Sequence, residues 1–197
     1  MISCILLSAG HSSRFGSPKA LAKINERTVI DHLLSNLIAT KLGEIIVVVG
    51  AQAEEIKSHI LNHKMVKVVY NKDYNLGQTS SFKAGVGSVS QQSSGIMLLP
   101  VDFPLIRRET FDKIIDQFFA KHPTILIPTF QNKKGHPPVF NISLKKPFLE
   151  MDNSAGINSF EHQLGSGVEF FPVEDPAVVA TFNTPEELAR LKAELAI

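Results

Sequence analysis

The stretch Leu6-Leu7-Ser8-Ala9-Gly10-His11-Ser12-Ser13-Arg14-Phe15-Gly16-Ser17-Pro18-Lys19 gathers glycines, hydroxyls and two cations in one short loop. Gly10 and Gly16 let the backbone approach a ligand closely and adopt dihedrals closed to other residues. Successive backbone N–H groups in such a loop form a nest for an anion. Ser12 and Ser13 add hydroxyl donors. Arg14 offers a bidentate fork for phosphate, and Lys19 offers a point charge. Two better-known phosphate loops are excluded, because neither Gly-x-x-x-x-Gly-Lys-Ser/Thr nor Gly-x-Gly-x-x-Gly occurs here. By residue type alone the loop is either a phosphate cradle or a solvated turn that carries two charges.

Further along, Ile96-Met97-Leu98-Leu99-Pro100-Val101-Asp102-Phe103-Pro104 sets one acid just past an apolar run, between prolines that fix the backbone. A hard cation such as Mg²⁺ takes one or two carboxylates together with phosphate oxygens and water. Asp102 could serve so, or could cap a following helix. Near the end, Thr181-Phe182-Asn183-Thr184-Pro185-Glu186-Glu187-Leu188 opens a helix, with Asn183 just before its expected cap, Thr184. The segment from Asn71 to Gly85 runs into another helix, whose N-terminus Thr79 or Ser80 is expected to cap. Gly135-His136-Pro137 reads as a turn, with Lys133 and Lys134 adding positive charge suited to an anionic acceptor. Cys4 reads as strand packing. His32 and His59 lie in helical patterns, and His11 is a loop residue with no visible partner.

These residues need a scaffold, and the apolar pattern supplies one. Short runs rich in Ile and Val recur at Ile2 to Leu7, Ile45 to Val49, Val66 to Tyr70, Ile96 to Leu99 and Ile125 to Ile127. They lack period-two alternation, which marks strands covered on both faces. Between them fall helical stripes. Ile30, Leu33, Leu34, Leu37 and Ile38 form one, Ala53, Ile56 and Ile60 a shorter one, and Phe111, Ile114, Ile115 and Phe118 a third. Leu188, Leu191 and Leu195 form a last helix, with Pro185 at its first position and Glu187 three residues after the cap. The alternation predicts a three-layer αβα sandwich around a Rossmann-like, mostly parallel (mixed) sheet. Past about residue 128 the alternation breaks. Strands near Val168 to Phe171 and Val178 to Thr181 are expected to extend the same sheet, so that residues 1–197 form a single domain. In open α/β sheets ligands sit at the carboxyl ends of strands, where the Gly10 loop and Asp102 both fall.

Composition narrows the chemistry. Across 197 residues, 20 Lys and Arg oppose 19 Asp and Glu, and 20 − 19 gives a net charge of +1. That excludes the bulk basic surface of a nucleic-acid binder and the charge excess of a disordered chain. The single Cys4 excludes an intramolecular disulfide and a Cys-based zinc cage, and it fits a reducing cytoplasm. No apolar run approaches the ~20 residues that span a bilayer, so no membrane partner is expected. The N-terminus reads as a strand and not as an export signal.

The motif Ser8-Ala9-Gly10-x-Ser-x-Arg14-x-Gly16-x-Pro18-Lys19 resembles the signature loop of the nucleotidyltransferases that include the molybdenum-cofactor cytidylyl- and guanylyltransferases. Sugar-nucleotide pyrophosphorylases are more distant relatives. The resemblance spans residue 2 to about 190, with four motifs in the family's order. It implies the nucleotide-diphospho-sugar transferase type of fold. In the loop, Ser8, Ala9, Gly10, Ser12, Ser13 and Gly16 would hold the triphosphate, with Arg14 and Lys19 neutralising it. Leu-Pro-x-Asp-x-Pro implies that Asp102 holds Mg²⁺. The closing motif implies Asn183 as second metal ligand, although Thr181 replaces its earlier carboxylate. Gly77 and Ser81 match the segment beside the base, with Gln78 and Phe82 in place of the usual Met and Leu. Gly-His-Pro places His136 at the acceptor, as does Asp152 in a segment where Asn158 stands in place of an expected Arg. The resemblance thus implies an acceptor phosphate attacking the nucleotide α-phosphorus, with pyrophosphate leaving. Ser-Ala-Gly is closer to the Ala-Ala-Gly of CTP users than to the Ala-Gly-Gly of GTP users. CTP is favoured over GTP, and molybdopterin is the implied acceptor. A sugar- or polyol-phosphate pyrophosphorylase and a non-catalytic nucleotide-binding regulator are the alternatives. A contact to a molybdoenzyme or chaperone is not readable.

Overall fold

The computed structural model describes residues 1–159 and 167–194. The chain opens with β1 (Ile2–Ser8), a small hairpin of β2 (Lys23–Ile24) and β3 (Arg27–Thr28), and α1 (Val29–Ile38). There follow β4 (Glu44–Val49), α2 (Ala53–Lys57), β5 (Val66–Tyr70), α3 (Gln78–Gly87), β6 (Gly95–Pro100), α4 (Arg108–Lys121) and β7 (Ile125–Phe130). The remainder holds β8 (Lys133–Lys134), β9 (Val139–Asn141), α5 (Lys145–Glu150), β10 (Val168–Pro172) and α6 (Pro185–Glu194). The main sheet runs in the order β10-β7-β9-β6-β1-β4-β5, with β8 pairing on β7. Strands β6, β1, β4 and β5 are mutually parallel, as are β10 and β7, and β9 runs antiparallel between β6 and β7. This is the expected mixed, mostly parallel sheet between two helical layers.

The unbroken apolar runs are explained by the two faces of the sheet. Along β1, Ile2, Cys4 and Leu6 enter one core and Ile5 and Leu7 the other. Strand β4 divides alike, with Ile45, Val47 and Val49 on the first face and Ile46 and Val48 on the second. The first face is closed by α1, α2, α4 and α6, and the second by α3 and α5. Helix α1 starts where Thr28 accepts from Asp31 N–H at 3.3 Å. It seals the first face with Ile30, Leu33, Leu34 and Leu37, all fully buried. Each such side chain contributes roughly 1.5–3 kcal/mol relative to exposure. No helix among the described residues is long and apolar enough to cross a membrane.

The predicted strand at Val178 to Thr181 is not a strand. Pro176–Val179 forms a 3-10 turn instead. Pro176 has no N–H for a ladder, and the Asp175 carboxylate accepts from Ala177 N–H at 3.1 Å and so begins a turn. The hairpin β2–β3, strand β9 and helix α5 were not read from the sequence. Each is too short to carry a period. Leu195, assigned to the last helix, lies outside the described residues.

At the amino ends of the strands, Glu44 is buried. Its Oε1 accepts from Ser3 Oγ at 2.5 Å and Ser90 N–H at 2.7 Å, and its Oε2 meets Lys67 Nζ at 2.8 Å. Ser3 Oγ also bonds Ser93 Oγ. Burial by itself would raise the carboxyl's pKa, but the bonds from Lys67, Ser3 and Ser90 outweigh it and hold it below its usual value. A lowered folded-state pKa stabilises the fold fully above the unfolded value of about 4.3. That contribution is lost as pH falls through the folded value. Urea midpoints measured from pH 7 down to pH 3 are therefore expected to fall at the acid end, with Glu44→Gln flattening that limb. An unchanged limb would show that Glu44 is not the group responsible.

Candidate active site

Strand β1 is the switch point of the sheet: the chain leaves it toward β4 and β5 on one side and later returns to β6 on the other. Loops leaving the carboxyl ends of such strands diverge and open a crevice. Here the crevice has a volume of about 370 Å³. Its walls come from three places: the loop after β1 (Ser8 to Arg14, Pro18 and Lys19), the segment after β5 (Tyr74, Asn75, Gly77, Gln78 and, in α3, Ser81) and the end of β6 (Pro100 to Asp102). Leu7, Ala20, Ile56 and Asn183 complete it.

The loop after β1 is held by its own backbone. Ser12 takes a left-handed φ of 52°, and its carbonyl accepts from Phe15 N–H at 2.8 Å and Gly16 N–H at 3.1 Å. Ser12 Oγ accepts from Lys19 N–H at 3.1 Å. Gly16 itself does not line the crevice. With φ of 81° it closes the turn, a conformation that costs little only without a side chain. The sequence had placed Gly16 on the ligand, and the structure places it behind.

The cations converge on two oxygens. Lys19 Nζ donates to Asp102 Oδ2 at 3.1 Å and to Asn183 Oδ1 at 3.0 Å. Arg14 Nη2 donates to the same Asn183 Oδ1 at 2.9 Å. The ammonium also stands 5.5 Å over the ring of Phe182, which is fully buried and meets Phe15 edge-on at 5.5 Å. Residues 14, 19, 102 and 183 are thus one cluster. Asp102 does not cap a helix, since α4 begins at Arg108 with Arg107 as its cap residue. Its Oδ1 is buried without a hydrogen-bond partner among the described residues, as is Ser8 Oγ. Asn183 is fixed from behind. Thr184 Oγ1 accepts from Glu187 N–H at 3.2 Å, as expected of the cap, and Glu187 Oε2 reaches back to Asn183 N–H at 2.6 Å.

No cluster of three or more His, Cys, Asp or Glu suited to a metal occurs among the described residues. A metal here would rest on few protein ligands. Asp102 and Asn183 fit that description: one carboxylate and one amide oxygen that already share a cation, Lys19. Such a donor set suits a hard ion that takes its remaining ligands from phosphate and water.

On the opposite wall, Gly77 precedes α3 at φ of 96°. Thr79 and Ser80 do not cap this helix. Thr79 Oγ1 donates to Ala155 O at 2.8 Å, and Ser80 Oγ donates back to Asp73 O at 2.8 Å and Gly77 O at 2.9 Å. Asn71 Nδ2 bridges the hydroxyls of Ser80 and Ser81, each at 3.0 Å, and so ties the end of β5 to α3. His11 does have a partner: Nε2 lies 2.6 Å from Asn75 Oδ1, and its ring lies 5.2 Å from Tyr74. His11, Tyr74 and Asn75 line the crevice and were not singled out from sequence. Their one signal was position, in loops following parallel strands.

His136 lies outside this crevice. It lines a neighbouring cavity of about 150 Å³ with Ile125, Ile127, Lys134, Phe140, Ile157 and Asn158. Its ring packs 4.4 Å from Phe103, the residue after Asp102, so the two cavities adjoin. Its backbone N–H bonds Val178 O at 2.7 Å. Burial lowers the imidazole's pKa, against a bond to the Leu98 backbone and the Asp102 charge, which raise it. Its Nδ1 is buried without a partner among the described residues. Asp152 lines neither cavity. It is exposed and accepts from Ser154 N–H at 2.7 Å and Ser154 Oγ at 2.6 Å, bonds that hold its carboxyl below the usual range. Asp152, expected at the acceptor, shapes its own turn and is not among the residues that line either cavity.

The chain is similar in sequence and in fold to known proteins. Over 193 residues the chain is 25% identical to the molybdenum cofactor cytidylyltransferase of Escherichia coli (strain K12), covering 97% of this chain and 95% of that protein. Over 203 residues it is 26% identical to the "Probable molybdenum cofactor guanylyltransferase" of Thermococcus sibiricus (strain DSM 12597 / MM 739), covering 98% of each. A Mycobacterium tuberculosis H37Rv protein solved in complex with manganese superposes with a TM-score of 0.78 at 22% identity, over 96% of each chain, a likeness of fold. The model of the MobA-like NTP transferase domain matches residues 4–168, which take in the loop after β1, Asp102 and the wall at Gly77. On that match, the chain belongs to the MobA-like NTP transferase family.

Proposed function

We propose that the chain transfers a nucleoside monophosphate, with CMP favoured over GMP, from a nucleoside triphosphate to a phosphorylated small-molecule acceptor, with Mg²⁺ and with release of pyrophosphate. The observation that carries this reading is the convergence of Arg14, Lys19, Asp102 and Asn183 in one crevice walled by the loop after β1. The two relatives whose names specify cytidylyl and guanylyl transfer to the molybdenum cofactor support it, and the cofactor is the favoured acceptor.

The residues divide the work by charge. The backbone and hydroxyls from Ser8 to Ser13 hold the β- and γ-phosphates, with Gly16 keeping the turn in shape. Arg14 and Lys19 meet the negative charge that builds on departing pyrophosphate, a task of preorganised electrostatics. Asp102 and Asn183 hold the metal, which supplies Lewis-acid polarisation of the α-phosphate when bound. Gly77 and Ser81 lie at the base. His136 faces the acceptor from the second cavity. An oxygen of the acceptor's phosphate attacks the α-phosphorus in line. The bond from that phosphorus to the bridging oxygen of the β-phosphate breaks, and the electron pair leaves with pyrophosphate. A phosphate monoester is already ionised near neutral pH, with a second pKa of ~6, so no general base is needed. The work is single-domain, over residues 1–197, in a cytoplasmic setting.

The size of the second cavity, about 150 Å³, favours a second reading, in which the acceptor is a small sugar or polyol phosphate. Pyrophosphate release, measured with CTP, GTP, UTP and ATP against each acceptor class, separates the two. CTP with molybdopterin is expected to give the highest turnover. Nucleotide binding without pyrophosphate from any pair would leave a non-catalytic nucleotide-binding regulator as the better account.

Two substitutions test the division of labour. Asp102→Ala is expected to abolish turnover with an unchanged melting profile, and retained Mg²⁺-dependent activity would refute its metal role. Lys19→Ala is expected to remove about 2–4 kcal/mol of transition-state stabilisation. A loss in kcat/KM smaller than about tenfold would show that the loop had been misread.

A further inference from the structure

We infer that Lys19 is the resident counter-cation of the Asp102–Asn183 pair, and that it must leave this position before the pair can hold a divalent ion. The inference rests on the reading of the crevice as a metal–nucleotide site, but adds a role that the reading does not contain. An amine that only waits for triphosphate would stand unpaired in the crevice. Lys19 lines the crevice with its side chain only 13% exposed and its Nζ already paired with Asp102 Oδ2 and Asn183 Oδ1 at 3.1 and 3.0 Å. The ring of Phe182 supports the ammonium from a third side.

The acceptors are already engaged. A carbonyl-type oxygen has two lone pairs, and Asn183 Oδ1 accepts from both Lys19 and Arg14. Asp102 Oδ2 faces Lys19, which leaves only the buried Oδ1 without a partner. A second cation brought against the same oxygens would meet the ammonium at close range, where like charges repel strongly in a partly desolvated site. Lys19 therefore weakens binding of a bare divalent ion.

Polyphosphate changes the balance. The loop that carries Lys19 also lines the crevice with Ser12, Ser13 and Arg14, so a triphosphate drawn to that wall offers the ammonium stronger partners than one carboxylate and one amide. Lys19 moves to the phosphate and exposes Asp102 and Asn183. One residue then links the two binding events with a positive coupling, and the coupling is reciprocal. The device favours loading of metal and nucleotide together and keeps the carboxylate compensated between turnovers.

The sign of this effect opposes the usual expectation for a residue in a nucleotide site, and so it is testable. Mn²⁺ serves as the probe, titrated without nucleotide or acceptor and followed by the EPR signal of the free ion. Lys19→Met is expected to bind Mn²⁺ at least tenfold more tightly than the unaltered chain. Lys19→Gln, neutral but still able to hydrogen-bond, is expected to show the same gain, and it keeps the test open should the Met variant fail to fold by its melting curve. Adding Asp102→Asn to either variant is expected to return binding to its weak level. Equal or weaker Mn²⁺ binding in both Lys19 variants would overturn the inference, as would tight binding that survives the loss of Asp102. Because no nucleotide is present, this outcome is independent of whether any acceptor yields pyrophosphate.

Discussion

The placement of one ammonium governs the site. Lys19 Nζ bonds Asp102 and Asn183 at once, and so ties the loop after β1 to the end of β6 and to the start of α6. These three elements are far apart in the chain, and nothing in the sheet hydrogen bonding joins all of them. A half-buried ion pair of this kind is weak evidence for stability, because desolvation offsets much of the Coulomb gain. Its consequence is geometric. With Asn183 also held by Arg14 and by Glu187, the polar groups of the crevice are oriented before any ligand arrives. Preorganised charge is the form of catalysis that phosphoryl transfer most needs.

The sheet makes that placement available. Strand β1 has parallel neighbours on both sides and is buried from Ile2 to Ser8, so its carboxyl end is fixed in register with β4 and β6. The register pairs Leu7 with Pro100, two positions before Asp102. Val101 N–H then bonds Leu7 O at 3.0 Å and carries the pairing to the edge of the crevice. The rigid part stops where the chemistry starts. Glu44 and its donors hold the far ends of the same strands, so the polar groups of the sheet gather at its two ends and leave the middle apolar.

Most of this frame was legible in the sequence because strands covered on both faces write long apolar runs, and helices on a sheet write stripes of period 3.6. Elements of two or three residues write neither. Strand β9 went unread for that reason, and its antiparallel insertion between β6 and β7 is what makes the sheet mixed. The apolar run at Val178 misled because burial alone does not distinguish a strand from a turn. Pro176 and Asp175 carried the deciding information. Of the site, the loop and Asp102 were legible because residue type and position agreed. Asp152 was not, because a carboxylate that bonds its own turn looks the same in sequence as one that faces a ligand. His11 and Asn75 were invisible as a pair, since their contact joins loops from different strands.

The second cavity adds a constraint on how the charges are shared. Burial disfavours the imidazolium form of His136, although Asp102 draws it the other way. A charged imidazole beside Phe103 would compete with Lys19 for the same carboxylate. A neutral ring instead offers hydrogen bonding and an apolar face, which suits the walls of Ile125, Ile127 and Phe140 around it. In the crevice itself the arginine and lysine charges are Arg14 and Lys19, and Lys134 stands in the second cavity beside His136. A net charge of +1 over the whole chain is compatible with this because the cations of the crevice are concentrated, and each is met by an oxygen of Asp102 or Asn183. Under the proposed exchange, a ligand would have to bring enough anionic oxygens to replace Asp102 and Asn183 as partners of Lys19. A polyphosphate would bring them, and a monoester alone carries fewer oxygens for the same task.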